Sequence, residues 1–460
     1  MASTETLTAE PDASVAEATT PNPFLTGAHR PMTAELTIAD LPVTGTIPPT
    51  LDGRYLRIGP NPMAADPDNY HWFTGDGMIH GLKLEGGKAL WYRNRWVRSE
   101  AVTTALGEAR TEGPRHLFDN VNTNIIGFGG KTLGLVEAGS TPVEIGETLE
   151  TLRYSDFDGT LGGSFTAHPH ADPLTGEMHG ICYDAMNPAA IRYVVVTPEG
   201  KARRNVEIPV THGPMIHDCA ITRRFAIILD LPVTFSMDAA MKGQSFPYRW
   251  NPAHQARIGL LPREGEAADL IWCDVEPCYV FHVANAYDAA DGRVILDVVV
   301  HETMFSDSKT GPDSRRSGLE RWTIDPGTRA VSRRTIDPTP QEFPRPDERR
   351  FGLAYRYAYT MALGGDFLGG ALLKHDLAAG TRQVHAFGPD RHPGEFVFVP
   401  AQADAAEDEG WLIGLVIDLV EETTELVILD ARAFEGEPVA RVHLPHRIPP
   451  GFHGNWVASA

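Results

Sequence analysis

The sequence is poor in cysteine, short of positive charge and without a long apolar run. Its 460 residues hold four cysteines, Cys182, Cys219, Cys273 and Cys278, and no C-x-x-C pair. A chain this long buries a large core without staples, and nothing points to export, so four free thiols in a reducing cytoplasm are expected. The 40 Lys and Arg face 61 Asp and Glu, a formal net charge of −21. That deficit excludes a phosphate-coating surface, and with it nucleic acid as a partner. The best apolar run, Val294 to Val300, is short and broken by Asp297, so no membrane-spanning helix is expected. The N-terminus stays polar and acidic to about Thr20, unlike the basic and apolar regions of a signal peptide. Residues 1–21 are expected to form a disordered acidic tail, and 22–460 a single domain. Helical patterning is scarce as well, with 235–242 the best candidate.

What the chain has in abundance is turn signals: 44 Gly and 36 Pro. Clusters such as Thr197-Pro-Glu-Gly-Lys201, Asp325-Pro-Gly-Thr-Arg329 and Ala378-Ala-Gly-Thr-Arg382 separate short apolar or alternating runs. Such clusters supply the backbone angles that hairpins need. In the last third the turn glycines Gly327, Gly380 and Gly436 lie 53 and 56 residues apart. A period near 50 with four short strands per unit predicts an all-β chain built as a β-propeller, and the length fits seven units. The first half does not visibly keep the period.

Four of the 18 histidines stand out by setting. His168, His217, His282 and His453 each follow apolar or aromatic residues, and wide separations place them in different structural units. Rings arriving from separate blades meet only on the propeller axis. Neutral nitrogen ligands suit Fe, Zn, Cu or Ni and suit Mg or Ca poorly. Such ligands need carboxylate partners to fix their tautomer, and Glu137, Glu342 and Glu395 are isolated glutamates in apolar settings. His168-Pro-His170 also reads as the H-x-H pair of a far smaller cupin site, but Pro169 weakens a strand there; His170 is expected at the surface. The segment 231–250 is read either as packing within a cap or as dipping into a bilayer surface.

At this point the motifs resemble a known family. Asp52-Gly-Arg-Tyr-Leu-Arg-Ile-Gly-Pro-Asn-Pro62, Phe73-Thr-Gly-Asp-Gly-Met-Ile-His80, Ala167-His-Pro169, Ile216-His-Asp218, Phe281-His282 and Phe452-His-Gly-Asn-Trp456 occur in order. Together they resemble the carotenoid cleavage oxygenases over about 22–457. The resemblance implies a seven-bladed β-propeller with a dome of loops and short helices over one Fe(II) per chain. It implies iron ligation by His168, His217, His282 and His453, with Glu137, Glu342 and Glu395 each backing a ligand ring and His168 lacking such a partner. It further implies that Thr123 crowds an open coordination site and that Phe281 and Phe343 line a substrate tunnel.

The expected activity is O₂-dependent cleavage of a conjugated C=C bond in a lipophilic polyene, a carotenoid or apocarotenoid, giving two carbonyl products. Relatives that cleave stilbenes or phenylpropenoids place a Lys directly before the first glutamate, where this chain has Val136; the polyene is therefore favoured. A stilbene-cleaving oxygenase and a non-oxygenase propeller, an isomerase or a lipophile binder, are the alternatives. The expected location is cytoplasmic, with weak peripheral membrane contact through the dome.

Overall fold

The computed structural model describes residues 21–116, 118–314, 317–364 and 368–459. Apart from Pro21, the tail expected over 1–21 lies outside the described residues. Seven antiparallel sheets of four or five strands succeed one another along the chain, with one further two-stranded hairpin. This is a seven-bladed β-propeller. Blades 2 to 6 each take four strands from one stretch of sequence, starting at Asn124–Phe128, His170–Ala171, Cys219–Ile221, Val283–Asp288 and Gln341–Arg345. Those five are the innermost strands, nearest the axis.

Closure of the ring is noncovalent and uses both ends of the chain. The C-terminal strand Gly454–Ala458 is the innermost of blade 1, paired with Gly53–Pro60. Near the N-terminus, Thr37–Ala39 is the outermost strand of blade 1, and the next strand, Val43–Gly45, is the outermost of blade 7, whose inner strand is Arg391–Pro400.

Strand composition follows position in the blade. The second strand of blade 4, Phe225–Asp230, is buried throughout, as is Met178–Tyr183 in blade 3; the first is apolar up to Asp230 because neighbouring blades cover both faces, and the second carries the buried His179. The outermost strands alternate instead: Ala202–Pro209 and Val331–Asp337 turn Arg, Asn and Glu outward. Gly327, Gly380 and Gly436 sit in the hairpins joining the third and fourth strands, counted from the axis, of blades 5, 6 and 7. Gly146, Gly200 and Gly265 occupy the same place in blades 2, 3 and 4, so the period does extend into the first half. It is stretched there because blade 4 carries an insertion, the hairpin Val233–Phe235 with Tyr248–Trp250 and the short helix Met237–Met241 between them.

The four cysteines are free and buried. A second helix, Glu100–Leu106, went unread in the sequence although its ends are marked. Ser99 caps the N-terminus by accepting from the Val102 N–H, and Gly107 adopts φ +67° at the C-terminus, the conformation that ends helices most cheaply with glycine.

Several blades bury a histidine. His71, His179 and His375 are nearly or fully buried, and burial pulls their pKa values down to about 3, about 4 and about 4. Unfolding returns each ring to about 6.5, so the unfolded chain binds more protons wherever the pH is below that value. Stability from these rings is complete above about pH 6.5 and is lost as pH falls toward 4, at about 1.4 kcal/mol per pH unit for each ring. Urea midpoints measured from pH 7.5 to 4.5 should fall steeply below 6.5, and flatten when the three are replaced by Gln or Asn.

Candidate metal centre

Four of the seven inner strands deliver one histidine each to the axis. His168 precedes His170–Ala171 of blade 3, His217 precedes Cys219–Ile221 of blade 4, His282 directly precedes Val283–Asp288 of blade 5, and His453 directly precedes Gly454–Ala458 of blade 1. All four are at least nine-tenths buried. One nitrogen from each ring lies within 4.8 Å of the others. Nε2 of His282 is 3.3 Å from Nε2 of His217 and 3.1 Å from Nε2 of His453.

The three glutamates stand behind three of those rings. Glu137 Oε1 lies 2.8 Å from His217 Nδ1, Glu342 Oε2 2.5 Å from His282 Nδ1, and Glu395 Oε1 3.1 Å from His453 Nδ1. His168 has no such partner, and its Nε2 is buried without a hydrogen bond. Two of the glutamates reach their rings because their strands bulge. In blade 6 the pairing jumps from Glu342–Met361 to Arg345–Tyr359, with Phe343 at φ +53°, an uncommon conformation for a bulky residue. In blade 7 the register slips between Pro393 and Phe396, around Glu395. Bulges re-aim single side chains in this way.

Tautomer logic makes the cluster a cation site. A carboxylate accepts only, so each backed ring donates from Nδ1 and carries a lone pair on Nε2. With all three rings neutral, three lone pairs face one another at 3.1 and 3.3 Å; burial works to lower the His282 pKa, but Glu342 outweighs it and raises it, so the cluster favours a positive charge there. An imidazole–metal bond of about 2.0–2.1 Å sets donor–donor edges at about 2.9 Å in an octahedron and about 3.3 Å in a tetrahedron, and the observed spacings fall in that interval.

Charge agrees. Glu395 has the guanidinium of Arg345 at 3.6 Å, whereas the hydrogen-bond partners of Glu137 and Glu342 are imidazoles, and for Glu342 also a backbone N–H. A divalent cation held by the four rings would supply the missing counter-charge. Burial works to raise the Glu342 carboxyl pKa, but His282 and His301 outweigh it and hold the group well below the usual range. Burial likewise pulls the His453 ring down to about 4, which keeps it neutral and able to ligate.

Three side chains of this centre were missed in the sequence. His301, 1% exposed, binds the second oxygen of Glu342 through Nε2 at 2.7 Å and Ser314 Oγ through Nδ1 at 2.8 Å. It closes the Val294–Val300 run, so its apolar setting was visible. Arg345 contacts both Glu395 and Asn455. Asp218 accepts from the Cys219 and Val283 N–H groups at 2.7 and 2.8 Å and from His170 Nε2 at 2.8 Å. His170 is therefore buried and not at the surface: its ring is held by a carboxylate one residue from His217. His170, Asp218 and Cys219 form a compact group, but both Asp218 oxygens are spent and burial keeps the Cys219 thiol protonated.

The cluster faces a cavity of about 620 Å³ on one side. Its lining is predominantly apolar and aromatic and includes Phe73, Phe246, Phe281, Phe343 and Phe452, together with Thr123, Val136 and Glu137. Phe281 packs edge-on to His217 at 5.0 Å, and Phe343 stacks on His282 at 5.2 Å. The Thr123 hydroxyl is committed to Asn122 Oδ1 at 2.9 Å, while its carbonyl accepts from the His453 N–H. The blade-4 insertion roofs the cavity through Phe235, Ala240 and 244–248.

A seven-bladed propeller with four histidines converging on its axis is the class of protein that fold and centre define. The family model described as retinal pigment epithelial membrane protein matches residues 29–458. The chain is 43% identical to a carotenoid cleavage oxygenase of Mycobacterium tuberculosis, across 95% of this chain and 97% of that protein. This chain belongs to the carotenoid cleavage oxygenase family. Among solved structures it is similar to lignostilbene dioxygenase of Pseudomonas brassicacearum, with a TM-score of 0.86 and 27% identity over 95% of this chain and 98% of that one. It is also similar to the cobalt-substituted apocarotenoid oxygenase of Synechocystis, with a TM-score of 0.84 and 28% identity over 96% and 99%.

Proposed function

We propose that the protein is an iron-dependent oxygenase that cleaves one conjugated C=C bond of a carotenoid or apocarotenoid, giving two aldehyde or ketone products. The observation that carries this reading is the apolar cavity of about 620 Å³ that ends on the imidazoles of His217, His282 and His453, three of the four rings whose nitrogens converge on the axis. His168, His217, His282 and His453 would hold one Fe(II), which supplies the activation of O₂. Glu137, Glu342 and Glu395 keep three of those rings in the ligating tautomer and offset the metal's charge. Thr123 narrows the space beside His453, and Phe281 and Phe343 wall the polyene against the centre. A polyene offers many similar double bonds and few polar handles, so the walls select the bond that reacts. No side chain is needed as general acid or base.

A second reading, cleavage of a hydroxystilbene, has a specific observation in its favour. Tyr183 and Tyr248 line the same cavity with buried rings, and their hydroxyls are suited to a phenol. Val136 argues the other way, since no ammonium stands beside Glu137. Iron-loaded protein assayed side by side on an apocarotenal and on resveratrol should consume the polyene with at least tenfold higher kcat/KM, a difference of about 1.4 kcal/mol in transition-state binding. The reverse order would favour the stilbene.

We place the protein in the cytoplasm, touching membranes weakly. No described helix is long and apolar enough to cross a bilayer, and Phe118, Met186, Met237 and Met241 are exposed on or beside the cavity lining. Exchanging Met237 and Met241 for Ser should lower flotation with neutral vesicles severalfold; unchanged flotation would remove this contact.

A further inference from the structure

The histidine cluster has a second face. Below it, along the axis, lies a separate chamber of about 120 Å³, room for a few waters. His282, His453 and Phe343 line both spaces, so they form the partition between them. Of the two spaces, His168 lines only the small chamber; its Nε2 is buried and has no hydrogen-bond partner. The chamber's other polar walls are Asn124, His170, Asp218, Arg345, Glu395 and Asn455, with His170 bonded to Asp218. Its rim includes Gly127, Ala171 and Glu348, all exposed, so it opens to solvent through the narrow end of the propeller.

The two spaces differ in what they admit. A hydrated divalent cation gives up its water only where oxygen or nitrogen atoms replace it. The large cavity offers mostly aromatic carbon on the way to the cluster; the small chamber has a larger polar share, its carboxylate, amide and imidazole groups set among apolar residues such as Phe128, Pro169 and Phe351. Asp218, Glu348 and Glu395 outnumber the one guanidinium, Arg345, which is paired with Glu348 at 2.8 Å. The field is therefore attractive to a cation from the rim inward.

We propose that the axial chamber is the loading route for the metal, so that Fe(II) reaches His168 first and then the other three rings, while the apolar cavity is kept for the organic substrate and O₂. This rests on the reading of the four histidines as metal ligands. It assigns functions to residues that have no part in ligation: Glu348 as the rim attractor and Ala171 as a wall small enough to leave the way open.

The test uses the full chain and Co(II) as the probe ion, followed by visible absorption, both for uptake by chelator-stripped protein and for release from the loaded protein to excess chelator. Glu348→Lys reverses the charge at the rim, Ala171→Trp fills it, and Met186→Trp fills the mouth of the apolar cavity; all three positions are exposed. Uptake and release should both slow at least about tenfold in Glu348→Lys and Ala171→Trp. The affinity, the ratio of the two rates, and the stoichiometry of one ion per chain should be unchanged, because a route affects both directions equally. Met186→Trp should load at the parent rate. Unchanged rates in the two rim variants, slowing accompanied by an equal loss of affinity, or slowing in Met186→Trp instead would each overturn the route. Failure of the parent protein to bind Co(II) at all would instead overturn the reading of the histidines, so the two failures are distinguishable.

Discussion

Replacing His217 or His453 by alanine is expected to abolish both metal binding and cleavage. Each ring is one of four that converge within 4.8 Å, and each removal also strands a buried carboxylate, Glu137 or Glu395, that its ring was holding. Loss of a partner that only orients a ligand lowers metal affinity by about 10–100-fold; loss of the ligand itself should exceed the upper end of that range. Metal content per chain after dialysis against a weak chelator should fall from near one to near zero, with product formation falling in parallel. Full metal content with full activity in either variant would show that the cluster is not the centre. Replacing Glu342 by Gln is the graded companion. It keeps the size, but its amide can satisfy only one of His282 and His301 as an acceptor, and the loss should stay within about 10–100-fold.

Asp218→Ala is expected to be the most destabilising single change near the axis. The carboxylate ties three inner strands: it accepts from Cys219 in blade 4, from Val283 in blade 5 and from His170 in blade 3. Burial opposes its charge, but His170 and the backbone donors outweigh that and hold its pKa below the usual value. Removal leaves three buried donors without an acceptor, a cost of about 3–5 kcal/mol. Because His217 adjoins Asp218 itself and His282 adjoins the donor Val283, metal affinity should fall as well. Asp218→Asn restores the volume but sets an NH₂ group against an N–H, so it should recover only part of the stability. Denaturant midpoints on the metal-free chain check this; a loss under about 1 kcal/mol for Ala would mean the three contacts are dispensable.

The architecture was legible because a propeller repeats its turns. Gly327, Gly380 and Gly436 mark equivalent hairpins, and the spacing between them is a blade. The same marks at Gly146, Gly200 and Gly265 were harder to read because the blade-4 insertion stretches the interval. The four axial histidines drew attention for a local reason: an apolar approach to a buried strand leaves few uses for an imidazole. The rest of the centre is not local. His301 meets Glu342 across 41 residues and His170 meets Asp218 across 48, and no spacing rule links positions on different blades. His170 looked like a surface residue because Pro169 interrupts its strand pattern, yet its ring turns inward, where Asp218 holds it. The strained Phe343 was equally hidden. Nothing in Gln-Glu-Phe-Pro-Arg signals a bulge, which becomes visible only when blade 6 pairs Glu342 and Arg345 with residues two apart.

The most direct test of the account is mass spectrometry of the products formed by iron-loaded protein from an apocarotenal under ¹⁸O₂. Oxidative cleavage of one C=C bond requires two carbonyl fragments that together contain every carbon of the substrate and two added oxygens, with ¹⁸O incorporated and O₂ consumed in step. A product of unchanged mass would contradict it and leave an isomerase in its place, and substrate bound but unconverted would leave a lipophile-binding propeller; carbonyl fragments free of ¹⁸O, when back-exchange with water has been suppressed by reduction, would contradict O₂ as the source of the added oxygens.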